Sequence, residues 1–224
     1  MYTLIHQDPR FYLVDKHPGV GFHREDDQPG LMDALREGLG DAVLWPVHRL
    51  DRITSGLILV ARSAKAARAL GDALAGREME KYYLALSDRK PLKKQGRVAG
   101  DMVKGRGGAW RLAEGRENPA ITQFFSFSLE PGLRLFLLRP RTGKTHQLRV
   151  AMKSQGAPIL GDALYGGSAA DRGYLHAYAL RFELDGERFA FICPPEAGEK
   201  FAGESCRAKL AELGEPWGQS WPGA

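Results

Sequence analysis

One carboxylate in the run Val47-His48-Arg49-Leu50-Asp51-Arg52-Ile53-Thr54-Ser55-Gly56 is set for chemistry. Asp51 lies between Arg49 and Arg52, three residues after His48 and just ahead of the apolar run Leu57 to Ala61. A carboxylate can act as a nucleophile or a base, and the edge of a rigid element is where such a group is best fixed in position. Two further stretches offer chemistry. Tyr82 and Tyr83 present flat apolar rings within Met79-Glu80-Lys81-Tyr82-Tyr83-Leu84-Ala85-Leu86. Arg139-Pro140-Arg141-Thr142-Gly143-Lys144-Thr145-His146-Gln147-Leu148-Arg149-Val150 gathers cations around a histidine.

The elements that must hold these groups follow from periodicity and punctuation. Leu57 to Ala61 is short enough for a buried strand, and Gly56 stands at its start, where a backbone turns or admits a close neighbour. Tyr2 to Gln7 and Phe11 to Lys16 read as strands about the turn Asp8-Pro9-Arg10. Leu31 to Leu39 has helical spacing, and Ala64 to Ala75 is a second helix, capped by Ser63 and stopped at Gly76. Met79 to Leu86 reads as a strand. Gly96 to Arg116 is a basic, glycine-rich hairpin or mobile loop without the Gly-Lys-Ser/Thr ending of a nucleotide-binding loop. Ala120 to Leu129 and Leu133 to Arg139 form a hairpin around Glu130-Pro131-Gly132. Thr145 or Thr142 would cap a helix from His146 to about Ser154, with Leu148 and Met152 on one face. Glu199 to Leu213 is a helix candidate, and Gly214 to Ala224 reads as loose. Strands and hairpins with few βαβ units indicate an α+β fold. No internal repeat or linker divides the chain, so 1–224 reads as a single domain.

The 224 residues are 43% hydrophobic and 26% charged, ordinary for a globular protein. No apolar run approaches the ~20 residues of a membrane helix, and the N-terminus lacks a secretory pattern. Two cysteines, Cys193 and Cys206, suggest neither a disulfide framework nor a metal cluster, so a cytoplasmic location is expected. The net charge of +5 favours an anionic partner. It is concentrated: between Arg89 and Arg116, nine basic residues face two acidic ones, a local +7. Such a stretch is either a solvated loop or a surface that follows a phosphate backbone.

The words around Asp51 resemble a known family. His48-Arg49-Leu50-Asp51, then Thr54-Ser55-Gly56-Leu57 and an apolar strand, is similar to the catalytic motif of the RluA-type pseudouridine synthases. In that family the aspartate is the nucleophile that isomerises uridine in RNA. Lys81-Tyr82-Tyr83-Leu84-Ala85 resembles the family's Lys-x-Tyr-x-Ala, which makes Tyr83 the active-site tyrosine and Tyr82 the alternative. Thr142-Gly143-Lys144-Thr145-His146-Gln147-Leu148-Arg149 resembles a further motif, as do Gly161-Asp162-Ala163-Leu164-Tyr165-Gly166 and Leu175-His176-Ala177-Tyr178-Ala179-Leu180. Lys16 and Gly19 match an early Lys-Pro-x-Gly segment with the proline one place late, and Ala151 stands where a histidine is common.

The resemblance spans about residues 10–195. It implies a pseudouridine-synthase fold: a mixed, mostly antiparallel sheet with flanking helices and a central RNA-binding cleft. It assigns Asp51 as nucleophile, Arg149 as its cationic partner and Tyr83 as the ring that stacks on the base. Arg49 would fill the space left by the flipped base and Leu175 would line the pocket. His48, Thr54, Lys144, His146, Arg141, Lys93, Lys94 and Arg97 complete the expected RNA-binding residues. It implies no metal and no organic cofactor, ribosomal or transfer RNA as the partner, and a monomer without an obligate protein partner. A hydrolase built on Asp51 with His48 and His146 would need a nucleophile–base pair or a metal, and the His spacing offers no helical ligand pair.

Overall fold

The computed structural model describes residues 1–24 and 27–223. The first half of the chain forms β1 (Tyr2–Gln7), β2 (Phe11–Lys16), α1 (Leu31–Leu39), β3 (Trp45–Pro46), β4 (Thr54–Ala61), α2 (Ala64–Ala75), β5 (Glu80–Ser87), β6 (Gln95–Lys104) and β7 (Trp110–Ala113). There follow β8 (Ala120–Glu130), β9 (Leu133–Pro140), α3 (Gln147–Ser154), β10 (Leu175–Leu184), β11 (Glu187–Ile192), α4 (Glu199–Ala202) and α5 (Glu204–Leu213). The fold is α+β, with sheet built from antiparallel pairs and helices set apart from the strand runs. The chain divides into two compact units, Met1–Glu80 with His176–Pro195, and Lys81–Leu175 with Glu196–Ala224.

In the first unit the strand order is β1-β2-β4-β10, with β11 beside β10 and β3 beside β4. Every residue of β4 is buried, as expected of a run with no polar alternation. β2 pairs with it from Phe11 opposite Ala61 to Lys16 opposite Gly56. Phe11, Leu13, Leu57, Leu59, Leu180 and Phe182 form the core, closed by Ala66 and Leu70 of α2. That helix starts where the sequence indicates: the Ser63 hydroxyl accepts from the Ala66 N–H at 3.2 Å. Gly56 has φ +108° and its Cα faces the Ala177 backbone of β10. A Cβ there would lie 2.4 Å from the Ala177 oxygen and 2.5 Å from its nitrogen.

In the second unit the order is β5-β9-β8-β6-β7. The basic glycine-rich stretch is a hairpin, β6 paired with β7 from Asp101 opposite Ala113 to Lys104 opposite Trp110. β8 and β9 form the expected hairpin, with Gly132 at φ +76° in its turn. Three details differ from expectation. Neither threonine caps α3: its N-cap is His146, in the left-handed region at φ +56° and without a side-chain cap bond. The Thr142 hydroxyl instead accepts from the Ile121 N–H and donates to Gln147 Oε1. The C-terminal helix breaks at Gly203, whose extended backbone separates α4 from α5. The end of the chain is not loose through Gly223 (Ala224 lies outside the described residues). Trp221 is buried against Tyr82 and Phe125, and its indole N–H donates to the Pro216 oxygen.

Gly56→Ala should destabilise the fold by on the order of 3 kcal/mol or more, because a Cβ meets backbone that cannot swing aside and φ is positive. Gly132→Ala, with positive φ but nothing within 4 Å of a Cβ, should cost only about 1 kcal/mol. Urea unfolding of both variants measures the difference, and equal losses would contradict the close approach at Gly56.

Candidate active site

The expected site residues are distributed over both units, Asp51 in the first and Tyr83, Arg149 and Leu175 in the second. Asp51 is half-buried on the loop that leads into β4. Its own carbonyl accepts from the Thr54 N–H at 3.0 Å, a tight turn that delivers the chain to the strand. The next residue is held twice to the segment after β2: the Gly19 N–H donates to the Arg52 oxygen, and Arg52 Nε donates back to the Gly19 oxygen, both at 3.0 Å. Beneath them the Lys16 ammonium is fully buried. It donates to the oxygens of Val20 at 2.8 Å, His17 at 3.2 Å and Arg52 at 3.4 Å. A buried ammonium must find such acceptors, so Lys16 joins the two loops.

The neighbours of Asp51 divide into exposed and structural groups. Arg49 and Arg52 are exposed. His48 Nε2 accepts from the Leu59 N–H at 3.2 Å, so that nitrogen is engaged by the strand backbone and is not a free base for Asp51. Thr54, only 3% exposed, belongs to the frame of the loop. Behind it, Ser55 Oγ lies 2.7 Å from His176 Nδ1, whose Nε2 lies 2.8 Å from the Cys193 oxygen. A carbonyl only accepts, so Nε2 carries the ring proton and donates to it, and Nδ1 accepts the hydrogen bond of the serine hydroxyl.

In the second unit, alternation along β5 separates the two tyrosines. Tyr82 faces the aromatic cluster of Trp217 and Trp221 and lies under the Arg139 guanidinium. Tyr83, 9% exposed, points to the opposite face, which Lys81 shares by the two-residue repeat. Leu175 is buried at the start of β10. Arg149, on α3, is 6% exposed and is held by a carboxylate the sequence reading gave no role. Its Nε and Nη2 donate to the two oxygens of Asp162 at 2.7 and 2.8 Å, a bidentate pair that fixes the guanidinium plane. The face of that plane rests over the Tyr165 ring at 4.8 Å. The Tyr165 hydroxyl lies 2.8 Å from His146 Nδ1 and accepts from the Trp110 N–H of β7. The spacing Gly161-Asp162-x-x-Tyr165-Gly166 was the available signal for both residues.

The expected RNA-binding cations differ in exposure. Lys93, Lys94 and Arg97 are exposed around the start of β6. Lys144 donates to Asn118 Oδ1 at 2.8 Å, and Arg141 is half-buried with its N–H on the Ile121 oxygen. Lys81 is different. It is half-buried, and desolvation pushes its ammonium down to about 8.

Comparison with known proteins gives this arrangement its class. Residues 10–154 match the family model described as RNA pseudouridylate synthase. An uncharacterized RNA pseudouridine synthase of Haemophilus influenzae is 46% identical over 198 residues, 88% of each chain. A tRNA pseudouridine synthase C of Pasteurella multocida is 33% identical over 85% of this chain and 86% of its own length. Among solved structures, human RNA Pseudouridylate Synthase Domain Containing 1 superposes with TM-score 0.72 at 27% identity, over 87% of this chain and 84% of that one. The chain belongs to the RNA pseudouridylate synthase family, enzymes that isomerise uridine in RNA to pseudouridine.

The partly desolvated Lys81 gives a pH signature. Its folded pKa, about 8, lies below its ordinary 10.5. Between those values the unfolded chain holds a proton that the fold does not, so stability rises with pH across that window. Lys81→Met should therefore stabilise the protein by on the order of 2–3 kcal/mol near neutral pH. The advantage should vanish as the pH is raised through the window. Thermal unfolding of both proteins from neutral to alkaline pH measures it; a pH-independent gap, or a destabilised variant, would contradict the desolvated ammonium.

Proposed function

We propose that this enzyme turns a specific uridine of structured RNA, ribosomal or transfer, out of its stack and isomerises it with Asp51 as the nucleophile. The bond between N1 and the sugar breaks, the uracil rotates, C5 bonds to the sugar, and the hydrogen at C5 leaves as a proton while N1 gains one. Arg149, oriented by Asp162, supplies the cation of the site. Tyr83 stacks on the uracil, a contact worth about 1–3 kcal/mol. Leu175 lines the pocket, and Arg49 fills the vacated space with a guanidinium suited to stacking. Lys93, Lys94, Arg97, Arg141, Lys144, His146 and His48 line the path of the RNA.

One observation carries the reading. The motif aspartate sits half-buried on a loop held from two sides, by Lys16 and by the Gly19–Arg52 pair, as fixed positioning of a reacting group requires. The rigid pairing of Arg149 with Asp162 is likewise what a positioned counter-charge needs. The relative named for transfer RNA supports an RNA substrate of that kind. We expect a monomer in the cytoplasm; both cysteines are buried and neither forms a disulfide. No described helix is long and apolar enough to cross a membrane.

Asp51→Asn should abolish pseudouridine formation, scored by nucleoside chromatography, while RNA affinity stays within a few-fold. Equal loss of binding would count against Asp51 as the reacting group. Neutralising Lys93, Lys94 and Arg97 together should reduce the slope of log affinity against log salt by about 2–3 units. An unchanged slope would direct the RNA elsewhere.

A further inference from the structure

The reaction above makes no use of Tyr165, yet three features of the second unit converge on it. The turn that carries it is locked at both ends. A Cβ on Gly161, which has φ +80°, would collide with the Arg172 oxygen, and one on Gly167 would collide with the Ile159 oxygen. Only glycine fits at either place, so the turn between them holds Asp162 and Tyr165 in one geometry. The second feature is the backbone of His146. It starts α3, the helix of Arg149, in the left-handed region at φ +56°, a strained conformation that persists only where the surroundings enforce it. In that conformation its ring meets Tyr165 edge-on at 5.7 Å, with Nδ1 2.8 Å from the phenol oxygen. The third is the hairpin. The Trp110 N–H of β7 donates to the same oxygen at 2.9 Å. The ring is 2% exposed and lies under the Arg149 guanidinium. One phenol thus joins the start of α3, the β6–β7 hairpin and the seat of Arg149.

We propose that Tyr165 is a positioning residue of the isomerisation: its hydroxyl, held by His146 and the hairpin, fixes the ring that sets the tilt of the Arg149 guanidinium. The inference rests on the functional reading of Arg149 and deepens it. Asp162 grips the guanidinium by two bonds along one edge. Such a pair still lets the plane hinge about the line of those bonds, and a ring against its face removes that freedom. The ring does so only while it is itself held, and the hydroxyl is the held end. Its oxygen accepts from Trp110, and its hydrogen points to His146 Nδ1 when that nitrogen is unprotonated. The competing possibility is a core tyrosine whose hydroxyl only satisfies the Trp110 N–H. Its loss would then lower stability and leave turnover alone.

The test is Tyr165→Phe, which keeps the ring against Arg149 and removes only the hydroxyl. Folding is checked by circular dichroism, and rates are taken well below the unfolding temperature. Initial rates of tritium release from transfer and ribosomal RNA carrying C5-tritiated uridine give kcat and KM, and filter binding gives RNA affinity. Tyr165→Phe should lower kcat by roughly 10-fold or more while KM and affinity stay within about twofold. An unchanged kcat overturns the proposal, as does a loss of affinity that accounts for the whole effect. His146→Ala, which takes away one partner of the hydroxyl, is the second variant and should also lower kcat. Normal kcat in whichever of the two folds overturns the proposal. Arg149→Ala is measured alongside. Wild-type turnover there would remove the functional reading of Arg149, whereas a slow Arg149→Ala beside a normal Tyr165→Phe would remove only the positioning role.

Discussion

A buried ammonium has to be surrounded by acceptors, and much of the first unit is arranged around that requirement. Lys16 ends β2 with no exposed surface, and its ammonium donates to carbonyl oxygens of two loops distant in sequence. The oxygen of Arg52 is one of them, so the loop carrying Asp51 is tied to the buried charge, and drifting away would take an acceptor from it. Gly19 and Arg52 add reciprocal bonds at the same join. The fully buried β4 supplies the rigid end of the loop, and only glycine fits at its third residue because Ala177 presses against it.

The second unit treats two of its cations differently. Arg149 is neutralised by Asp162, stacked on Tyr165 and connected through that hydroxyl to His146 and the β6–β7 hairpin. A side chain held in so many directions has one orientation, which suits a group that acts on a partner of fixed geometry. Lys81 is only partly withdrawn from water, and that desolvation lowers its pKa.

Much of this was legible in the residues. Strands and helices bounded by clear signals, such as the Ser63 cap, the Gly76 stop and the turn at Gly132, fall where periodicity and punctuation put them. Alternation along β5 puts Tyr82 and Tyr83 on opposite faces, and the aromatic tail occupies the face of Tyr82. The corrections share a cause: long-range packing outweighs local propensity. His146 takes a left-handed backbone that no cap rule anticipates, Gly203 interrupts an otherwise helical pattern, and Trp221 pins a tail whose glycines and prolines suggested looseness. Asp162 and Lys16 could be quoted as parts of motifs, yet their partners lie 13 and 36 residues away, and spacing alone does not reveal who meets whom.

The most direct test of Asp51 as the nucleophile of an RNA uridine isomerase follows the atom that must leave. Pseudouridine formation expels the hydrogen from C5, so RNA carrying uridine tritiated at C5 is incubated with wild type and with Asp51→Ala. Release of tritium by wild type and none by the variant is the expected result. Release by both proteins, or by neither while RNA remains bound, would contradict it.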